Sequence, residues 1–214
     1  MQKENRASEV VERLKDEYPD ADTTLDYGTP YQLLVATILS AQCTDERVNK
    51  VTPELFDRFP TPREMADADL DGIKSIVKST GFYNSKAGYL KDGAEMIVEE
   101  FDGELPLEVD QMTELPGVGR KTANVVLSNA FEIHEGIAVD THVSRLSQRL
   151  GLTQNESPEP IEQDLTEMLP EDDWRIASHL LIAHGRAVCG ARNPQCGECV
   201  LEDICPSSKL DDIS

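Results

Sequence analysis

Apolar positions recur at helical spacing along most of the chain, and no segment alternates convincingly as a strand. Val10, Val11 and Leu14 share one face of a helix over Ser8–Tyr18. Thr29-Pro30 reads as a cap followed by proline at the first helical position, opening an apolar, buried helix through Gln42. Thr61-Pro62-Arg63-Glu64 fits a capping box. Asn84 is expected to cap a long helix to Phe101, with Ala87, Leu90, Ala94, Ile97, Val98 and Phe101 as its buried stripe. A short amphipathic piece with Val109, Met112 and Leu115 stops at Pro116. New helices are expected from about Arg120, after Asp140 with Val143, Leu146 and Leu150 facing inward, from Ser157-Pro158, and from Asp173 to about Ala187. The last 25 or so residues are irregular and rich in cysteine. The pattern predicts an all-α fold.

Composition adds a contradiction. Over 214 residues, 41 acids face 20 bases, for a net charge of −21. Bulk attraction to phosphate needs the opposite sign, so a polybasic nucleic-acid or membrane-surface binder is disfavoured. Hydrophobic residues at 39% are enough to bury one or two cores, and the longest apolar stretch, Leu33–Leu39, is far short of a membrane span. An N-terminus without an apolar run points to the cytoplasm. The acids are dispersed and only 9 of the 20 bases are lysine, which favours adaptation to very high salt over an acidic partner-binding tail.

The charge is uneven. The windows 72–91, 174–197 and 115–149 carry +4, +3 and +1, leaving −29 for the rest of the chain. Something kept acids out of these stretches, although chance together with buried helix faces would give the same contrast.

The segment Leu115–Phe131 holds a Gly117-Val118-Gly119 turn before a helix. Its exposed N–H groups, beside a helix N-terminus, suit one phosphate, although a plain helix–helix turn would look the same. The two glycines make a tight turn and permit unusual backbone angles and a bare, close-approaching chain. Lys121 lies in the first turn of the new helix, where the dipole disfavours an ammonium. Partial desolvation there would favour the neutral amine, a nucleophile that forms Schiff bases with sugar aldehydes. A phosphate-contacting lysine is the alternative. Asp140 reads as an N-cap and, compatibly, as a carboxylate able to take a proton or stabilise positive charge on a sugar.

Four cysteines follow the pattern Cys189-x6-Cys196-x2-Cys199-x5-Cys205. A metal centre or two disulfides would explain them, and a reducing compartment disfavours disulfides. A zinc ribbon would show two C-x2-C pairs, so one compact centre with proline after the last cysteine fits an iron–sulfur cluster better. Cys43 reads as a small core residue, His134 as a surface residue, His179 and His184 as structural histidines, and Trp174 as core.

Together, Leu33–Asp45, Gly81–Ala87, Leu115–Leu127, Ala138–Leu146, His184–Cys189 and the cysteine array resemble the endonuclease III family, the iron–sulfur branch of the helix–hairpin–helix DNA glycosylases. The resemblance covers roughly Pro30–Cys205. It implies a six-helix lobe over about 23–134, and a second lobe of 1–22 plus 135–214 bearing a [4Fe–4S] cluster on Cys189, Cys196, Cys199 and Cys205. Damaged double-stranded DNA is expected across the cleft between them. It further implies a monomeric glycosylase and abasic-site lyase for oxidised pyrimidines. Lys121 would attack the sugar C1′, Asp140 would activate it, and β-elimination would follow. Gln42 and the residue at 82 would fill the gap in the duplex. Asp45 and His142 would lie near the lesion, and Gly117, Val118, Gly119, Arg120 and Arg192 along the DNA backbone. Two departures stand out. Phe82 replaces the leucine of familiar members, and the Cys189–Cys196 loop keeps only Arg192 of its usual bases. A monofunctional mismatch glycosylase and a non-catalytic iron–sulfur DNA-binding or redox-sensing protein are the competing readings. The first usually lacks the lysine, and the second needs neither Lys121 nor Asp140.

Overall fold

In the computed structural model, which describes residues 2–208, the elements are helices and turns, with no strand among the described residues. The chain divides into two compact units, 24–133 and 1–23 with 134–214. No helix among the described residues is long and apolar enough to cross a membrane.

The first unit holds α2 (Pro30–Ser40), α3 (Asp45–Arg58), the short α4 (Pro62–Ala66), α5 (Leu70–Val77), α6 (Tyr83–Glu100), the short α7 (Val109–Glu114) and α8 (Arg120–Ala130). Their starts are chemically marked. Thr29 Oγ1 accepts from Gln32 N at 3.2 Å with Pro30 behind it, and Thr61 and Glu64 close a reciprocal capping box. Leu33, Leu39, Val48, Leu55, Ile73, Leu90, Met112 and Leu127 are buried in one apolar cluster. Each such side chain contributes about 1.5–3 kcal/mol relative to exposure. The expected stripe of α6 is buried at Ala87, Leu90, Ala94 and Ile97, while Val98 and Phe101 are half-buried.

Two boundaries differ from expectation. Helix α2 ends at Ser40, because Gln42 takes a left-handed conformation (φ 52°) that no α-helix accommodates. Cys43 therefore sits in the turn, half-buried against the core, rather than in a helix. Helix α6 begins at Tyr83, with Phe82 at its N-cap, left-handed (φ 47°) and without a side-chain cap; Asn84 lies inside the first turn and caps nothing.

The second unit holds α1 (Lys3–Glu17), α9 (Thr141–Arg149), α10 (Pro158–Met168) and α11 (Trp174–Ala187), then a chain of turns through the cysteines. Val10, Val11, Leu14, Val143, Leu146, Leu150, Ile161, Leu165 and Leu180 form its core. Trp174 packs half-buried against this core and donates from Nε1 to Leu169 O at 3.0 Å. His134 is half-buried rather than a surface residue, with a buried Nδ1.

Candidate functional site

The hairpin turn is built by one glycine, not two. Gly117 has φ 78°, and a Cβ there would stand 2.7 Å from Cδ2 of the Tyr89 ring. Gly119 is the extended N-cap of α8 (φ −99°) with open space around it, so it leaves bare backbone without needing an unusual angle. The Val118 side chain is buried in the core and its N–H donates to Leu115 O at 3.0 Å, so the phosphate contact expected of Val118 is not available from either group. Arg120 and Lys121 are the first two residues of α8, and both are exposed. The partial desolvation expected at Lys121 is therefore not provided by this protein alone. The structure has an exposed amine in the first turn of the helix, the condition of the alternative reading.

Gln42 and Phe82 are both exposed and both left-handed, and Phe82 presents 67% of its surface. Asp102 and Glu132, the other non-glycine residues with positive φ, follow helix C-caps, where that conformation is common. Gln42 likewise follows a C-cap, Ala41 of α2, in a turn closed by Cys43 N donating to Ser40 O at 3.0 Å. Phe82 instead stands at a helix N-cap, where no helix-ending motif explains a left-handed residue, and strain of this kind clusters at functional sites. Asp45 opens α3 and accepts from Thr24 Oγ1 at 2.5 Å, a structural bond.

In the second unit Asp140 caps α9. Its Oδ1 accepts from His142 N at 2.8 Å and Val143 N at 2.9 Å, which fixes the carboxylate's direction. His142 is half-buried, with Nδ1 3.2 Å from Arg145 Nη2. That same Nη2 donates to Cys189 O at 3.1 Å and Gly185 O at 3.2 Å. A Cβ on Gly185 would stand 2.9 Å from His142 Nδ1, so glycine is needed for this approach of α9 to α11. Arg149 reaches further into the cysteine loop, donating to Gly190 O, Ala191 O and the Cys189 sulfur. Arg192 is exposed on that loop.

All four cysteines of the array are free thiols lining one cavity of about 220 Å³, far more than the ~10–15 Å³ one water needs. Leu146, Val188 and Pro194 complete an apolar wall. Among the described residues no group of three or more His, Cys, Asp or Glu is placed to hold a single ion. A four-iron cluster is larger and takes thiolates at its corners, so this set fits it. Burial pushes the Cys199 and Cys205 thiols up, so without a metal these sulfurs stay protonated, and thiolate ligation would need the charge of the metal to offset that burial. His184, 2% exposed, lies with Nε2 3.3 Å from Cys199 Sγ and Nδ1 3.0 Å from Tyr18 OH. Burial brings its imidazole down to about 4, keeping it neutral and structural.

Residues 35–171 match the HhH-GPD superfamily of base excision DNA repair proteins, and residues 189–205 match the iron–sulfur binding domain of endonuclease III. The chain is 56% identical over 207 residues to endonuclease III of Synechocystis sp., covering 97% of this chain and 94% of the relative. It belongs to the endonuclease III family. As in that family, its cofactor is a [4Fe–4S] cluster. Two solved structures share its fold over the full length of both chains, each with a TM-score of 0.93 and 38% identity. One is a non-covalent endonuclease III–DNA complex and the other a trapped endonuclease III–DNA covalent intermediate.

Set against this family, the acid-poor windows, which the resemblance places along DNA, need correction. They read as DNA-facing charge, yet several of their bases are committed inside the protein. Lys86 and Lys91 donate to backbone carbonyls, Lys74 pairs with Asp71, Arg175 with Asp22, and Arg145 and Arg149 hold the cysteine loop. Lys86, Arg145 and Arg149 are held by backbone carbonyls rather than by carboxylates. Sequence reasoning missed Lys86, Arg145, Arg149 and the His184–Cys199 contact as individuals. The bases without neighbouring acids were the available signal.

Proposed function

We infer that this chain is a base-excision-repair DNA glycosylase with abasic-site lyase activity, acting on oxidised pyrimidines in double-stranded DNA. The observation that carries the reading is Lys121, an exposed amine in the first turn of α8, immediately after the Gly117–Gly119 turn. It stands in a chain whose relatives include an endonuclease III that forms a covalent intermediate with DNA.

The chemistry follows from the residues. Extruding the nucleotide costs stacking and pairing, and damaged bases are cheaper to extrude. Gln42 and Phe82 fill the vacated space. The Lys121 amine bonds to the sugar C1′ as the glycosidic bond breaks and the base departs with its electron pair. Asp140 stabilises the positive charge developing on the sugar and accepts the proton the amine sheds. The sugar ring then opens to an imine, loss of a C2′ proton expels the 3′ phosphate, and water releases Lys121. The main-chain N–H groups of Gly117 and Gly119, with Arg120 and Arg192, hold phosphates. That contact carries position rather than sequence information. Asp45 and His142 flank the lesion, each anchored by its own intramolecular partner.

Cys189, Cys196, Cys199 and Cys205 hold the [4Fe–4S] cluster, which shapes the loop carrying Arg192 and takes no part in bond making. One chain supplies every named residue, so a monomer suffices. A DNA substrate and thiolates reserved for a cluster both fit a reducing, cytoplasmic compartment. The dispersed acids fit a protein kept soluble at high salt. The test is borohydride trapping on duplex DNA containing thymine glycol. An adduct with the native protein that is absent in Lys121→Ala supports the reading. Base release without an adduct identifies a monofunctional glycosylase, and neither product identifies a non-catalytic binder.

A further inference from the structure

Lys86 is a buried cation to which the chemistry above gives no task. It is 3% exposed, and its Nζ donates to Leu39 O and to Thr80 O, both at 2.8 Å. Leu39 lies in the last turn of α2, three residues before Gln42. Thr80 closes the 3₁₀ turn 78–80, two residues before Phe82. Through its main chain the same lysine donates to Phe82 O at 3.0 Å. One residue thus touches both segments that end in exposed left-handed side chains.

The arrangement is costly without a purpose. A buried ammonium loses its hydration, and replacing such a group by an apolar side chain is often neutral or stabilising. Burial holds the Lys86 ammonium below the usual lysine range, with the nearby Cys43 thiol opposing that shift. Its partners are carbonyl oxygens rather than a carboxylate. Both carbonyls sit at helix C-termini, the negative end of the dipole, and the last carbonyls of α2 have no partner within the helix. Left-handed non-glycine residues persist only where their surroundings over-determine them. A tether on each flank supplies that constraint for Gln42 and Phe82 together.

We propose that Lys86 is a positioning residue that ties the Leu39 and Thr80 carbonyls so that Gln42 and Phe82 enter the vacated duplex space as one preset pair. This rests on the reading of Gln42 and Phe82 as gap-filling residues.

The test uses the full chain with its cluster and a duplex carrying a tetrahydrofuran abasic analogue opposite 2-aminopurine, whose fluorescence rises as it unstacks. Lys86→Met is expected to keep the cluster absorbance, since the cysteines lie in the other unit. It should lose most of the fluorescence rise and bind the duplex roughly tenfold more weakly, the scale of a small misplacement of a working group. Phe82→Ala should show the same loss. The double variant should be no worse than Phe82→Ala within about twofold, because residues acting as a unit are not additive. Wild-type fluorescence and affinity in Lys86→Met, or losses that add in the double variant, would overturn the proposal. If Phe82→Ala itself keeps the full signal, the gap-filling reading fails, and the proposal falls with it. Should Lys86→Met not fold, Lys86→Gln replaces it: a shorter, neutral donor must give a reduced signal, and a wild-type signal overturns the tether.

Discussion

Arg149 Nη1 stands 3.2 Å from the Cys189 sulfur, while its two terminal nitrogens donate to Gly190 O at 2.9 Å and Ala191 O at 2.8 Å. The thiol here stands where a cluster-bound thiolate would be. A charged donor to a thiolate and to adjacent carbonyls both shapes the loop and stabilises the anion. Hydrogen bonds to charged groups are worth about 1.5–3 kcal/mol each. Arg149→Met is therefore expected to fold but to lose its brown absorbance several-fold faster than the native protein under chelator. Cys196→Ser is expected to be purified without it. A native protein that is colourless and carries one zinc would contradict the cofactor assignment.

The hairpin depends on Gly117. Alanine there meets two penalties, a left-handed backbone worth about 1–2 kcal/mol and a Cβ inside contact distance of the Tyr89 ring. Gly117→Ala should lower the urea midpoint and weaken DNA binding, and adding Tyr89→Ala should restore only the steric part. Gly119→Ala meets open space at an ordinary φ. It should be nearly neutral for stability, which separates the two glycines that the sequence treats alike.

His179 gives a pH signature. Burial pushes its imidazole below the usual histidine range, with Asp22 opposing. A lowered folded value means that, as pH falls below about 6.5, the unfolded chain takes up the proton first. Stability is thus lost toward acid. Comparing urea midpoints of native protein and His179→Gln between about pH 7.5 and 5.5 should show the variant losing less. Parallel slopes would contradict the assignment.

Salt probes the charge partition. With a net charge of −21 and several of the window bases held internally, DNA attraction comes from a few exposed groups such as Lys121 and Arg192. Each phosphate neutralised adds about −0.9 to the slope of log K against log salt. A shallow slope is expected, with activity persisting toward molar KCl. A steep loss between moderate and molar KCl would count against both the partition and adaptation to high salt.

What the sequence made legible was local. Thr29, Thr61 and Asp140 announce their helices because a cap is a bond between residues two or three apart, and the cores of α1, α6 and α9 follow from period alone. Phe82 was not legible as a cap, because its left-handed backbone is imposed from outside its own segment. Nor were the Leu39 partner of Lys86 and the cysteine-loop partners of Arg149, which lie 47 and about 40 residues away in the chain. The hairpin, the lysine and the cysteine spacing pointed to chemistry because each motif is contiguous. The buried cations that support them are not, because their carbonyl partners come from other segments.

The central claim is that Lys121 becomes bonded to the sugar of a damaged nucleotide. The most direct measurement is mass spectrometry of the borohydride-reduced adduct with thymine glycol duplex, after proteolysis. A deoxyribose-derived mass is expected on the peptide containing Lys121, and none in Lys121→Ala. An adduct on another residue, or one that survives in Lys121→Ala, would contradict it.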